Sequence, residues 1–297
     1  YMNEVVTINT ESYASMAKAM GLPVNSGERK VNILNRLKMQ HKPIIGDDKV
    51  LVKGGSLKFE KVGDSPVFYY AEKAKFRPFL QRFMYKRYYK DVNRYSNTIM
   101  SDNLNIDLKD DYGTFNCGKP TGYVRDYKSL PEATKAIIKS VQRHRVVFGT
   151  LELEKPVKLI DGREVEEELA TFPIIWEINS NVIFKDVGEI FSKFANMERL
   201  PLQHVINMDG TEMYYTSNTG EKYYKPTLKV DYTKKVEITE EDHKMFGDFL
   251  DWVKAHNDNV IRQWDEKVAE RQNEISDDDA NTVEQFIDVE LESNEKQ

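Results

Sequence analysis

One segment of the chain, residues 73–95, combines a strong positive charge with a high density of aromatic side chains. It contains eight lysines and arginines against a single acid, Asp91, and seven phenylalanines and tyrosines. Cations neutralise phosphates and aromatic rings stack on bases, so the segment carries both components that binding of single-stranded nucleic acid requires. Core packing alone does not explain such an excess of cations, because unpaired charges are costly to bury. The segment therefore predicts a nucleic-acid-binding surface.

The residue pattern of this segment fits two kinds of secondary structure, and we predict a long strand. Several apolar residues between Phe76 and Met84 fit a helical stripe, whereas the aromatic richness favours a strand. In a strand, the odd-numbered residues from Phe79 to Tyr89 share one face, and the even-numbered residues from Leu80 to Lys90 share the other. Because burying the even face would bury lysine and arginine, we predict a buried odd face and an exposed even face.

We expect ten side chains of this segment to contact nucleic acid through phosphates or bases. They are Arg77, Arg82, Phe83, Lys86, Arg87, Tyr88, Tyr89, Lys90, Arg94 and Tyr95. A weaker aromatic and basic cluster follows later in the chain, in a predicted hairpin, where aromatic residues more often serve packing. Its members are Tyr214, Tyr215, Lys222, Tyr223, Tyr224 and Lys225.

The remaining pattern predicts a β-rich α+β fold. Strands are predicted within 49–71, with turns at Gly54-Gly55 and residues 63–65, and at 146–153, 157–160, 171–178, 203–208, 211–216 and 223–232. Asp161-Gly162 and Asp209-Gly210 are typical hairpin turns. Helices are predicted at 11–20, 131–143 and 182–197, and from the capping residue Thr239 toward Arg271. We treat residues 1–273 as one compact body, with a division into two lobes near residue 154 left open.

The C-terminal segment, residues 274–297, has the opposite charge. It contains nine acids and one lysine, and because the whole chain carries −6, residues 1–273 are left with about +2. The composition predicts a disordered tail that competes with nucleic acid for the basic surface. It also predicts a recruitment peptide for replication or recombination proteins, in which Phe286 and Ile287 form an apolar anchor. Its candidate partner-binding residues are Asp277, Asp278, Asp279, Phe286, Ile287 and Asp288.

Catalytic signatures are largely absent from the sequence. The five histidines show no metal-ligand spacing, and no glycine-rich phosphate loop is present. The single cysteine, Cys117, excludes an internal disulfide and a cysteine-rich zinc site, and no histidine lies near it in sequence to activate it as a nucleophile. We predict a protein that is not an enzyme, with no catalytic residues, no cofactor and no metal.

The hydropathy pattern gives no indication of a membrane partner. A hydrophobic fraction of 40% and a charged fraction of 31% are typical of a soluble globular protein. No run approaches the roughly 18 apolar residues of a spanning helix, and the first residues lack the pattern of a signal peptide. We expect a cytoplasmic location, which is the host-cell cytoplasm if the protein is viral.

Four features together resemble the single-stranded DNA-binding proteins of tailed bacteriophages. They are the strand pair around Leu51–Tyr70, the run from Phe76-Arg77-Pro78-Phe79 to Tyr88-Tyr89, the loop Asn116-Cys117-Gly118-Lys119-Pro120, and the acidic Ser276-Asp277-Asp278-Asp279. The resemblance implies an OB-fold-like barrel with helical elaborations, which binds DNA in a groove lined by cations and rings. The chain lacks the cysteine and histidine set of the zinc-containing T-even protein, so no metal is carried over.

The resulting hypothesis is a protein that binds single-stranded DNA without sequence preference in phage replication, recombination or repair. One alternative is a virion structural or assembly protein, whose basic segment would dock onto an acidic partner. Another is a metal-dependent nuclease assembled from carboxylates that are distant in sequence.

Overall fold

The computed structural model describes residues 34–104, 106, 109–112 and 127–270, and all of these belong to one compact unit. Three predicted features lie outside the described residues. They are the helix at 11–20, the loop 116–120 with Cys117, and the acidic segment 274–297. The extent of the body and the division near residue 154 stay predictions.

The described part of the chain contains thirteen strands and three α-helices. The strands are β1 (Asn35–Gln40), β2 (Ile44–Ile45), β3 (Val50–Val52), β4 (Ser56–Lys61), β5 (Val67–Ala71), β6 (Lys73–Tyr89), β7 (Arg94–Asn97), β8 (Val141–Glu154), β9 (Val157–Ile160), β10 (Arg163–Glu166), β11 (Phe172–Ile178), β12 (Ile206–Thr216) and β13 (Lys222–Val230). The helices are α1 (Glu132–Ser140), α2 (Asn181–Asn196) and α3 (Glu240–Glu270). The prediction of a β-rich α+β protein is therefore confirmed.

Eleven of the described strands form one large mixed sheet. Its order is β10-β9-β5-β4-β1-β11-β8-β6-β12-β13, with β7 paired to the far end of β6, while β2 and β3 form a separate pair. The pairing of β1 with β11 is parallel, whereas β6 runs antiparallel to β8 over most of its length. The strand β6, predicted from the basic aromatic run, therefore lies inside the sheet, between β8 and β12.

The predicted turns have mixed outcomes. Residues 62–66 join β4 to β5 in an antiparallel hairpin, and Asp161-Gly162, with positive φ at both positions, joins β9 to β10. Gly54-Gly55 turns the chain but makes no hairpin, because β3 pairs with β2. The hairpin prediction at Asp209-Gly210 is wrong, since β12 runs through both residues with a local register shift against β13.

A β-bulge in the centre of β6 changes which residues face each side of the sheet. Pro78 lies opposite Gly149 and Leu80 opposite Phe148, so Phe79 is an extra residue without a partner in β8. A bulge tolerates proline in a central strand, because the regular ladder is interrupted there. Before the bulge the even-numbered residues of β6 face one side of the sheet, and after it the odd-numbered residues do.

Both sides of the sheet are covered by a helix. On one side α2 packs against a core that includes Phe76, Phe83 and Trp176. On the other side α3 packs Phe249 and Val253 against a second core. We call these the α2 face and the α3 face. Two covered faces explain why apolar residues of both parities are buried in the middle of β6.

The strand path of the sheet does not close within the described residues. Within this path the strands run from β4 to β12 through β1, β11, β8 and β6, yet the backbone of Gly55, just before β4, meets that of Gly210 in β12. A Cβ added at Gly210 would lie 2.2 Å from the carbonyl oxygen of Gly55, so the approach requires glycine. The described strands thus form an open sheet, and the closed barrel of an OB fold is not observed.

The long helix α3 is fixed at its N-terminus by the predicted capping residue. The Thr239 Oγ1 accepts a hydrogen bond from the backbone N–H of Asp242 at 3.2 Å, and the Thr239 N–H donates to the Asp242 carboxylate at 2.9 Å. This reciprocal arrangement satisfies backbone donors at the helix start. No helix in the described part of the chain combines the length and apolar character required to span a membrane.

Candidate nucleic-acid interface

The exposed end of the basic aromatic segment is the hairpin formed by β6 and β7. Residues 90–93 form its turn, in which Asn93 has a positive φ of 49°. The ladder pairs Tyr88 with Tyr95 and Tyr89 with Arg94. Because neighbouring residues of a strand point to opposite sides, the two pairs present their side chains on the two sides of the hairpin.

On one side of the hairpin, two rings and two guanidinium groups form a continuous arrangement that we call the tyrosine–arginine stack. The ring centroids of Tyr89 and Tyr112 are 4.7 Å apart with an interplanar angle of 30°. The Arg87 guanidinium carbon lies 4.7 Å from the Tyr89 centroid, and that of Arg94 lies 5.5 Å from the Tyr112 centroid. The stack therefore places a cation close to each ring of the pair.

Hydrogen bonds to β7 position Tyr112 beside Tyr89. The carboxylate of the preceding residue, Asp111, accepts hydrogen bonds from the Ser96 hydroxyl, the Asn97 backbone N–H and the Asn97 side-chain amide, all between 3.0 and 3.1 Å. Tyr112 was not among the residues predicted from the sequence. No local pattern around this isolated ring indicates that it pairs with Tyr89.

On the other side of the hairpin, Tyr88 and Tyr95 form a second ring pair with centroids 4.9 Å apart. Tyr88 is 36% exposed and Tyr95 is 50% exposed, so this pair faces solvent. The Tyr88 hydroxyl donates a hydrogen bond to the Asn93 side-chain oxygen in the turn. The side chain of Lys90, in the adjacent turn, is also exposed.

Three of the ten predicted contact residues are engaged inside the protein. Arg77 forms a two-pronged ion pair with Asp242, with distances of 2.8 and 2.9 Å. Lys86 forms an ion pair with Glu177 of β11. Phe83 is only 8% exposed and packs in the core beneath α2.

The predicted exposure of the even face of β6 is wrong at its centre. Leu80 and Met84 are buried beneath α3, and Lys86 is half-buried. The prediction assumed that a lysine on this face would have no partner, but Glu177 supplies one from a strand that is remote in sequence. Of the even positions, Arg82 is half-buried and donates to the Gln81 carbonyl oxygen at 2.9 Å, and Tyr88 and Lys90 are exposed.

The carboxylate of Glu177 is the centre of a buried charge network. Burial would raise the pKa of Glu177, but the hydrogen bond from His144 and the charge of Lys86 outweigh it and lower the pKa to about 2. The His144 Nδ1 lies 2.7 Å from the same carboxylate. Burial also lowers the pKa of the nearby His256. The network stabilises the sheet and does not offer Lys86 to a ligand.

The second aromatic cluster lies on the β12–β13 hairpin and lines a separate groove of about 520 Å³. Tyr214 and Tyr215 are about half exposed. The rings of Tyr223 and His41 have centroids 5.2 Å apart. Lys225 approaches Asp186 at 3.7 Å and Glu212 at 3.8 Å. Nearby acids therefore reduce the positive charge of this cluster.

The described residues contain no group of three or more histidine, cysteine, aspartate or glutamate side chains that could hold a metal ion. Comparison with known proteins gives no match: no family model, no curated protein and no solved structure is similar to this chain.

Proposed function

We propose that the protein binds single-stranded DNA without sequence preference, with the tyrosine–arginine stack as its base-binding surface. The observation that carries this proposal is the arrangement of Arg87, Tyr89, Tyr112 and Arg94. Rings at a hairpin end provide flat surfaces for bases of any identity, and the adjacent guanidinium groups provide charge for the backbone. The pattern supports stacking and phosphate neutralisation rather than reading of base edges.

The Tyr88–Tyr95 pair and the exposed cation Lys90 extend this surface around the hairpin. Each base stacked on an aromatic side chain contributes about 1–3 kcal/mol. Each phosphate neutralised on a single strand adds about 0.7 to the slope of log K against log salt. Binding at this surface is therefore expected to weaken steeply with salt.

We also propose that the part of the sheet from β4 to β12 is an open relative of an OB-fold barrel. The close approach of Gly55 and Gly210 at its edges supports this idea, because OB folds are themselves partly open barrels. The phage context, recruitment of replication or recombination proteins by residues 277–288, and a cytoplasmic location belong to the same proposal. The phage context rests on the sequence resemblance, whereas the recruitment and the location rest on the composition and charge of the chain.

The test is a titration of fluorescent oligo-dT at two salt concentrations. Replacing both Tyr89 and Tyr112 with leucine preserves apolar bulk but removes the aromatic faces. We expect affinity to fall about 5- to 150-fold, which corresponds to about 1–3 kcal/mol for one stacked base. The matched control is Tyr214→Leu on the β12–β13 hairpin, which should bind as the wild type does.

Three results of this titration would contradict the proposal. If the wild-type protein does not bind oligo-dT, the function is wrong. If Tyr214→Leu weakens binding while the Tyr89 and Tyr112 variant does not, the surface is wrong. If the oligonucleotide is degraded when magnesium is added, the protein is a nuclease rather than a binding protein.

A further inference from the structure

A second concentration of arginine lies between β8 and α2, at residues that no sequence pattern singled out. Arg143 and Arg145 project from β8 on the α2 face, opposite Tyr85 and Phe83 of β6. The guanidinium carbons of both arginines lie 4.4 Å from the ring centroid of Phe184 on α2. Arg145 also lies 4.9 Å from the Phe83 centroid, so two rings hold its guanidinium group.

These arginines line an open groove of about 1280 Å³, which we call the arginine groove. Its lining includes five cations and a single acid, Glu189. The cations are Arg143, Arg145, Lys185, Lys193 and Arg199. An acid-poor groove with this many cations has a positive potential that attracts anions.

The charge of Arg145 is buried without a counter-charge. The residue is only 7% exposed, its Nε has no hydrogen-bond partner, and one terminal nitrogen donates to the Gln81 side-chain oxygen. The Arg143 Nε is likewise buried without a partner. Across the described ranges, neither arginine forms an ion pair. A buried charge of this kind is costly unless an anion compensates it.

The surroundings of Arg145 keep its guanidinium group protonated and leave space for it. Burial and the neighbouring charge of Arg143 lower the pKa of Arg145 to about 10, so it remains a cation at neutral pH. Gly188 of α2 lies directly above it, where an added Cβ would be 2.7 Å from a terminal guanidinium nitrogen. The absence of a side chain at Gly188 thus leaves space for the guanidinium group.

The arginine groove and the tyrosine–arginine stack lie on the same face of the sheet. Beyond the bulge, β6 pairs with β8 without a further register shift, so Phe83, Tyr85, Arg87 and Tyr89 alternate regularly onto one side. Same-face neighbours on a strand are about 6.6 Å apart. From the groove toward the stack, the order of arginines along this face is therefore Arg145, Arg143 and Arg87.

We propose that the arginine groove binds phosphate groups, supplied by the backbone of the same strand whose bases lie on the tyrosine–arginine stack. This inference rests on the proposed function and adds a second, base-independent contact region to it. A phosphodiester would supply the anion that Arg143 and Arg145 lack. Guanidinium groups suit this ligand because they donate several hydrogen bonds in a fixed planar arrangement.

The test compares a short fluorescent oligo-dT that covers only the stack with one several times longer, over a range of salt concentrations. Arg143→Gln and Arg145→Gln should each lower the salt slope for the long oligonucleotide by about 0.7 for each phosphate that the variant no longer neutralises. The short oligonucleotide should bind both variants as it binds the wild type. Arg163→Gln, on the exposed strand β10, is the matched control and should change neither slope.

Arg145→Gln removes a guanidinium group held between two rings, so its fold is checked by circular dichroism. The same decrease in salt slope is expected for Arg143→Gln. Because Arg143 is only half-buried, this substitution disturbs the core less. If folded Arg143→Gln protein keeps the wild-type slope for the long oligonucleotide, the inference is wrong while the proposed function stands.

A separate experiment with inorganic phosphate distinguishes two possible ligands of the groove, a nucleic-acid backbone and a free phosphate compound. If the wild type binds no oligo-dT, the proposed function and the phosphodiester source are both refuted. If inorganic phosphate then raises the thermal midpoint of the wild type but not that of Arg145→Gln, the groove binds a free phosphate compound. Without such stabilisation, the phosphate site itself is refuted.

Discussion

Replacing Glu177 with glutamine should remove a large, acid-sensitive part of the stability of the protein. The carboxylate lies among Lys86 and His144 beneath α3, and its pKa is lowered from 4.5 to about 2. This difference corresponds to about 3 kcal/mol of folding free energy at neutral pH. The value agrees with the about 3–5 kcal/mol expected when one partner of a buried ion pair is removed.

The direction of the pH dependence follows from the lowered pKa. The unfolded chain takes up the proton at a higher pH than the folded protein, so the stabilisation is complete well above pH 4.5. It is lost as the pH falls toward about 2. By pH 3 about 2 kcal/mol of it should be gone from the wild type. Glu177→Gln protein has no such proton to bind and should lack this component.

The assay is urea unfolding of the wild type and of Glu177→Gln at pH 7 and pH 3. The variant should be less stable by about 3 kcal/mol at pH 7, and its loss of stability between the two pH values should be smaller by about 2 kcal/mol. Glu166→Gln, on exposed β10, is the control and should behave as the wild type does. An equal pH dependence in wild type and Glu177→Gln would refute the reasoning.

Three further outcomes are expected. Asp242→Asn should lower the free energy of unfolding by about 3 kcal/mol in urea, because it leaves Arg77 without its carboxylate partner. Gly149→Ala should lower the thermal midpoint, since the new Cβ would lie 2.3 Å from the Arg77 carbonyl oxygen, and overpacking costs about 1–3 kcal/mol. Removing residues 274–297 should tighten oligo-dT binding at low salt and leave it unchanged at high salt, where screening weakens a competing tail.

The sequence predicted most of the local structure because local signals were strong. The aromatic richness of residues 73–89 predicted the strand β6, and the apolar residues of 171–178 predicted β11 within one residue. The capping signal at Thr239 marked the start of α3. The tight Asp161-Gly162 turn was also found, because positive φ at both positions favours those residues.

The arrangement of the sheet depended on contacts that no local pattern contains. Asp209-Gly210 has the composition of a hairpin turn, yet both residues lie within β12. Glycine is required at position 210 because its backbone closely approaches that of Gly55. The pairing of Lys86 with Glu177 reversed the expected exposure of its face, because a carboxylate from a remote strand offsets much of the cost of burying a lysine.

The candidate site was predicted in part. Tyr88, Tyr89, Arg94 and Tyr95 lie together at the hairpin end, as the charge and ring pattern indicated. Arg143 and Arg145 were missed because they occur in the apolar-rich strand β8, where the sequence gives no excess of charge. Their significance comes from Phe184 and Gly188, which the fold brings from α2.

The extra residue Phe79 determines the orientation of the whole second half of its strand. Because Phe79 has no partner in β8, Leu80 lies opposite Phe148 and Lys86 points to the side of Glu177. If the same sequence formed a ladder without the bulge, Phe79 would pair with Phe148 and every following side chain would point to the opposite side. Arg87 and Tyr89 would then leave the side that they share with the arginine groove, whereas deleting Phe79 would keep each following side chain on its present side.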